Sequence, residues 1–182
     1  MSDIFISLVP QPINTTEVIA LADKVINWLY QQNIIKNTKT DCVLGSNEGY
    51  PPGDGFKKII DGDDYGLLDL YTNGLEVKIA REVFHNGGHG VDSISCPNCN
   101  CNIISTDWGE IIDEWYNETG KDKIVCLDCK TTASITEYKF VPAWAFGNLG
   151  FTFWNWPPFK EGFVKDLETL TAKSITIVYG RL

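Results

Sequence analysis

The sequence predicts an α+β protein: a mainly antiparallel sheet covered by two helices, with an inserted module carrying a short helix of its own. Three observations lead there. Helical periodicity is sustained in only two long segments, near 18–29 and 159–170. Runs suited to strands flank both of them. Two Cys-x-x-Cys pairs set the segment 96–129 apart from the remainder, 1–95 plus 130–182, which forms the core domain.

Ile4 to Val9 alternates weakly and stops at Pro10 and Pro12, as a first strand would. Asn14 precedes Glu17 by three residues, a capping arrangement, and Val18, Leu21, Ala22, Val25, Trp28 and Leu29 then form one apolar stripe of a helix ending near Asn33. A short strand at Asp41 to Leu44 leads into a Gly- and Pro-rich loop through Gly55. Leu67 to Tyr71 and Leu75 to Phe84 flank Thr72-Asn73-Gly74, and Asn-Gly is the favoured pair of a tight hairpin turn. A strand reads from Ala133 to Val141. Phe159, Phe163, Leu167 and Leu170 mark a second helix, and Ser174 to Arg181 supplies a β-branched last strand. Strands interleaved in this way with two helices also fit a split β-α-β, ferredoxin-like arrangement.

Twenty-four acidic residues oppose fifteen basic ones, for a net charge of −9 over 182 residues. With 43% hydrophobic and 12% aromatic residues, the chain can bury a core without disulfides. A negative surface repels phosphate backbones, so a nucleic-acid partner is not expected. The N-terminal residues lack the basic and long apolar regions of an export signal, and no run of 18 apolar residues is present. No membrane association is expected, and the chain is read as cytoplasmic.

The cysteines carry the chemistry. Cys96-Pro97-Asn98-Cys99 and Cys126-Leu127-Asp128-Cys129 are separated by positions 100 to 125. In a reducing compartment such pairs serve as metal ligands more readily than as disulfides, because each short turn presents two sulfurs on one side. The gap exceeds the roughly 15 to 20 residues of the usual spacing, and its content explains why. Asp107 and Glu110 can cap a helix whose apolar residues are Trp108, Ile111, Ile112, Trp115 and Tyr116, with Gly120 to end it. Cys101 can replace Cys99 as a ligand or lie beside the site as a spare thiol. A redox dithiol and reduced buried cysteines are the alternatives to a metal. Cys42 reads as a small core residue.

Residues 96–129 resemble the zinc ribbon and related four-Cys knuckle modules, here with a helix between the two hairpins. The resemblance implies Zn2+ on Cys96, Cys99, Cys126 and Cys129 and a local fold, not an activity. More distantly, the chain is similar to uncharacterised bacterial zinc-ribbon proteins, some carrying a transporter-ATPase label. That label does not transfer, because no Gly-x-x-x-x-Gly-Lys-Ser/Thr loop occurs in the sequence.

Other motifs are weaker. His85 and His89 flank Asn86-Gly87-Gly88, and the pair of glycines opposes the helix that would bring both imidazoles onto one metal or into an acid/base pair. One of them can approach the zinc site. Asp61, Asp63 and Asp64 read as a solvated acidic turn, since Thr72 stands where a calcium loop needs Glu. Nine aromatic residues fall between Tyr138 and Phe159 with Lys139 as the one base, so base stacking is disfavoured. Trp108, Trp115, Trp144, Trp154 and Trp156 are expected to supply a pocket or partner surface.

Together these features predict a non-enzymatic zinc protein that meets a basic protein partner, in the manner of an inhibitor or immunity protein. The rival is a small enzyme whose pocket joins the loops Tyr50–Gly55 and His85–Gly90.

Overall fold

The computed structural model describes residues 2–63 and 66–182; Asp64 of the acidic turn, and Tyr65, lie outside the described residues. In chain order the elements are β1 (Ile4–Pro10), α1 (Val18–Gln31), β2 (Leu75–Lys78), β3 (Glu82–Phe84), β4 (Ser93–Ser95), α2 (Trp108–Tyr116), β5 (Lys123–Val125), β6 (Thr132–Ser134), β7 (Lys139–Val141), β8 (Ala145–Gly147), β9 (Gly150–Trp154), α3 (Glu161–Thr171) and β10 (Ile175–Arg181). The class is α+β, and every strand pairing is antiparallel.

Four strands form the main sheet, in the order β10-β1-β9-β2. With α1 between its first two strands and α3 between its last two, the path is β-α-β-β-α-β, which is compatible with a split β-α-β arrangement. Period-2 alternation sends Ile6 and Leu8 to one face, where they meet Val18, Ala22, Val25 and Leu29 of α1 and Phe163 and Leu167 of α3 in the principal core. Trp156 fills its centre, edge-on to Phe153 at 5.1 Å and Phe56 at 6.0 Å. On the opposite face Val9 and Val178 pack under Phe84 and Ala145, so the β3–β8 ribbon covers part of the side without helices. Within the sheet the hydroxyls of Ser7 and Thr152 satisfy one another at 2.8 Å.

The chain leaves this sheet after Lys78 and returns at Gly150; the segment 96–129 is the inner part of that excursion. The ribbons β4–β7 and β5–β6 and helix α2 enclose a second core of Ile94, Ile103, Ile112, Trp115, Ile124, Ile135, Tyr138, Phe140 and Phe146. Two contacts fasten it to the first. The Asn148 side chain bonds both the N–H (3.1 Å) and the C=O (2.5 Å) of Ile13. Arg81 lies 3.9 Å over the Trp115 ring, donates to the Trp115 carbonyl at 2.7 Å and pairs with Glu118 at 3.4 Å.

Several local expectations are corrected. Asn14 does not cap α1 with its side chain; its carbonyl accepts from the Glu17 N–H. Asp107 precedes α2 without a side-chain cap, and that helix ends at Tyr116, before Gly120. In the segment 41–44 only Val43 is bridged, to Ser46, and Thr40 just before it is bridged to Gly49, so no strand is built there. No hairpin forms around Thr72-Asn73-Gly74. Leu67–Asp69 is a 3-10 turn, and β2 pairs with β9. Neither Asn73 nor Gly74 has the positive φ that a type I′ turn needs. Asn73 is instead buried, donating to the Leu67 carbonyl at 2.7 Å, and a Cβ on Gly74 would fall 2.2 Å from the Cys42 sulfur. The strand expected over 133–141 is split by a 3-10 turn at Ile135–Glu137, closed by a Ser134/Glu137 capping box. No described helix is long and apolar enough to cross a membrane.

Candidate metal centre

Both Cys-x-x-Cys pairs are held by the same backbone pattern. In the first, Asn100 N–H donates to the Cys96 carbonyl (3.0 Å) and Cys96 N–H to the Cys101 carbonyl (2.9 Å). In the second, Lys130 N–H donates to the Cys126 carbonyl (3.0 Å) and Cys126 N–H to the Thr131 carbonyl (2.9 Å). Asn100 and Lys130 both take left-handed φ, +60° each, which closes each turn so that its two sulfurs point one way. β4 delivers the first turn and β5 the second; Ser95↔Asn102 and Val125↔Thr132 pair the strand ends behind them. Each turn therefore sits at the tip of a tight antiparallel loop, with α2 between the two.

The four sulfurs of Cys96, Cys99, Cys126 and Cys129 lie within 4.8 Å of one another. Cys96 Sγ stands 3.8 Å from Cys129 Sγ, and Cys99 Sγ 3.6 Å from Cys126 Sγ. Disulfide sulfurs would be about 2.05 Å apart, and all the described cysteines are free thiols. Sulfurs at the corners of a tetrahedron around an ion at about 2.3 Å would stand about 3.8 Å apart. The cluster could hold a metal ion with a closed shell of four ligands. Cys96 and Cys126 are buried, whereas Cys99 and Cys129 are half-buried.

Electrostatics separates the thiols. Hydrogen bonds from the Thr131 side chain, the Asn98 side chain and the Thr131 N–H draw Cys129 down to about 5. The N–H groups of Cys129 and Asp128 lower Cys126. At Cys99 the Cys101 N–H acts in the same direction, but desolvation and the sulfurs of Cys129, Cys126 and Cys96 outweigh it and push the thiol up to about 12. Tyr138, desolvated first and then facing the Cys96 and Cys126 sulfurs, is raised to about 12.

Cys101 lies outside the cluster. It occupies the position that Thr131 holds in the second turn, its carbonyl serves Cys96, and its thiol is raised mainly by desolvation. That equivalence is readable in the sequence once the two pairs are aligned on their first cysteines.

The histidines are not brought together on a metal. Gly87 N–H donates to His85 Nδ1 at 3.1 Å and the His85 ring lies 5.4 Å from Trp144, while His89 Nε2 stands 3.1 Å from the Arg181 carbonyl. No group of three or more metal-ligating side chains among the described residues includes either one. Asn86 and His89 line a cavity with β1, β10 and Trp156, whereas the Pro51 carbonyl and the Gly53 N–H of the other loop bond Lys36 and Ile34, just after α1.

Of the five tryptophans expected to supply a pocket or partner surface, Trp115, Trp144 and Trp156 border cavities. Trp115, Trp154 and Trp156 are buried, at 6%, 7% and 0% exposure. Trp108 and Trp144 are half-buried against Phe140, with Trp144 stacked on it at 5.5 Å and Trp108 edge-on at 6.2 Å. A buried Trp ring removes a large apolar area from water, which favours the interior for Trp115, Trp154 and Trp156. Exposed on α2, its N-terminal flank and the second Cys turn are Asp107, Glu110, Asp113 and Asp128, and also Tyr116, Val125 and Leu127.

No protein-family model matches the chain, and neither a curated protein nor a solved structure matches it.

Proposed function

We propose that the chain is a zinc protein in which a structural four-thiolate centre stabilises the second core and thereby presents an acidic surface to a basic protein partner. The observation that carries the zinc reading is the convergence of two identically built Cys turns into one cluster with near-tetrahedral sulfur spacing. Borderline-soft zinc suits four thiolates, and a closed shell leaves no position for a reactive water, so the ion's role is structural. Residues 96–129 carry seven acidic side chains against Lys121 and Lys123. Asp107, Glu110, Asp113 and Asp128 are exposed, as is the aliphatic Leu127 at 71%. Such a surface favours encounter with a basic partner and repels phosphate backbones.

Elemental analysis of the purified, reduced protein is expected to give one zinc per chain, and Cys126→Ser to lose it. Iron in place of zinc, or a folded protein without metal, would overturn the zinc reading. The partner reading is tested by retrieval from the source cell at low and high salt. A specific basic protein captured at low salt and released at high salt supports it, and capture unchanged by reversing Asp107, Glu110 and Asp113 to Lys counts against it.

A further inference from the structure

One edge of the main sheet is left open. β10 forms it with seven residues, Ile175-Thr176-Ile177-Val178-Tyr179-Gly180-Arg181, in unbroken register with β1. The strand contains no Pro, no Lys and no bulge, the devices that usually blunt an exposed edge. The opposite edge is managed differently: β2 has four residues, ends in Lys78, and the N–H and C=O of Leu75 are both taken by Tyr50 at 2.9 Å.

The pairing with β1 shows which backbone groups of β10 face outward. Gln11 N–H donates to the Ser174 carbonyl at 3.0 Å and Leu182 N–H to the Asp3 carbonyl at 2.9 Å, so the even-numbered residues hold the ladder bonds to β1. The N–H and C=O groups of the odd-numbered residues therefore point away from the sheet. Both ends of that outward row are closed: Ile175 N–H donates to Glu168 Oε1 at 3.0 Å, and His89 Nε2 stands 3.1 Å from the Arg181 carbonyl. Between them the N–H and C=O of Ile177 and of Tyr179 have no hydrogen-bond partner among the described residues. Ile177 is half-buried and Tyr179 exposed.

These open groups are self-complementary. They lie symmetrically about Val178, so a two-fold axis through that residue returns every donor to an acceptor: Ile177 N–H to the Tyr179 carbonyl of a second copy, and Tyr179 N–H to its Ile177 carbonyl. The side chains agree with this register. Ile177 and Tyr179 lie opposite Leu8 and Ile6, on the face that carries the helices, and across the axis they form two aromatic/β-branched pairs. Arg181 falls opposite Ile175 of the second copy, the residue whose N–H holds the Glu168 carboxylate. Arg181 has no ion pair among the described residues, so each copy brings a guanidinium to the other's carboxylate. Moving the axis to Ile177 would set Arg181 against Lys173 instead, a like-charge pair.

We propose that the protein forms a two-fold dimer by antiparallel pairing of β10 with β10 of a second copy, joining the two main sheets into one. An unrelated extended peptide could fill the same backbone groups, but the symmetry of those groups and the match of Arg181 to Glu168 select a second copy. The proposal is independent of the metal centre and of the basic partner.

The test is sedimentation velocity of the full, metal-loaded chain from about 1 to about 200 μM, with amide exchange followed in ¹H–¹⁵N spectra at both ends of the range. A dimer of micromolar affinity is expected, because one pair of strand edges makes a small interface. The Ile177 and Tyr179 amides should exchange fast when dilute and gain about tenfold or more protection when concentrated, while Val178, bonded to β1, stays protected throughout. Tyr179→Pro removes an outward N–H and no bond to β1, so the fold should persist and dimer affinity fall about tenfold or more. If that variant does not fold, Tyr179→Lys at the same exposed position decides, with a loss of similar size expected. Arg181→Glu should weaken the dimer several-fold at low salt and less at high salt. A monomer across the whole concentration range, or a dimer whose affinity is unchanged in the folded Tyr179 variant, overturns the proposal.

Discussion

Loading zinc into the metal-free, reduced protein at pH 7 is expected to release between one and three protons per chain. Cys129, at about 5, is already a thiolate there because the Thr131 and Asn98 side chains donate to it, so it gives up none. Cys99, at about 12, still carries its proton, because desolvation and three neighbouring sulfurs override the Cys101 N–H. It must surrender that proton to become a ligand. The lower bound of one comes from Cys99 and the upper bound of three from Cys129. Because binding expels protons, affinity strengthens as pH rises, by about one to three decades per unit around neutrality. The dependence steepens as pH falls through about 5, where Cys129 takes up a proton that zinc must also displace. Calorimetric titration in two buffers of different ionisation enthalpy counts the protons directly. A count of zero or of four would refute the division of roles among the thiols.

Chelating the metal should strip hydrogen-exchange protection from the amides of Ile94 and Ile124, which lead into the Cys turns, while Leu8 and Val178 in the main sheet keep theirs; uniform loss would mean that the two cores are one cooperative unit. Trp115→Ala removes a buried ring that also carries Arg81 and packs edge-on at 5.1 Å to Phe146, and denaturant unfolding should show a loss of about 3–5 kcal/mol. Gly87→Ala should lower the melting temperature more than Gly88→Ala. Both positions have positive φ, +82° and +84°, but only at Gly87 does the added Cβ strike backbone, the Arg181 carbonyl, whereas nothing lies within 4 Å of one at Gly88.

What could be read from the sequence was whatever depends on near neighbours. The stripes of α1 and α3, the β-branched run of β10 and the two Cys pairs each announce themselves within a few residues, and all are present. The hairpin failed because β2 finds its partner far along the chain: Leu75 pairs with Phe153, and everything between them is excursion. An Asn-Gly pair scores as a turn locally, yet here Asn73 is used for its amide and Gly74 for its missing side chain beside Cys42. The break in the strand after Ser134 was legible, since Ser134-Ile135-Thr136-Glu137 spells a capping box, but strand-like residues around it masked the signal.

The burial of the tryptophans changes what a partner would recognise. A surface built on Trp rings would bind through desolvated anchors and tolerate salt. With Trp115 turned inward under Arg81 and Trp108 packed on Phe140, the outer side of α2 is left with carboxylates, Tyr116 and the aliphatic residues of the second Cys turn. The same inward aromatics also make the second core, which is small and built from short ribbons, and small cores commonly need a metal to hold. The two roles are thus linked through one element. A metal on the four sulfurs would fix the Cys turns, the turns and ribbons would hold the inner face of α2, and Asp107 before the helix and Glu110 and Asp113 on it would then be presented together. On this reading, loss of the ion abolishes partner binding without touching a single contacting residue, and binding to the loaded protein weakens steeply with salt, because charge rather than buried area carries it.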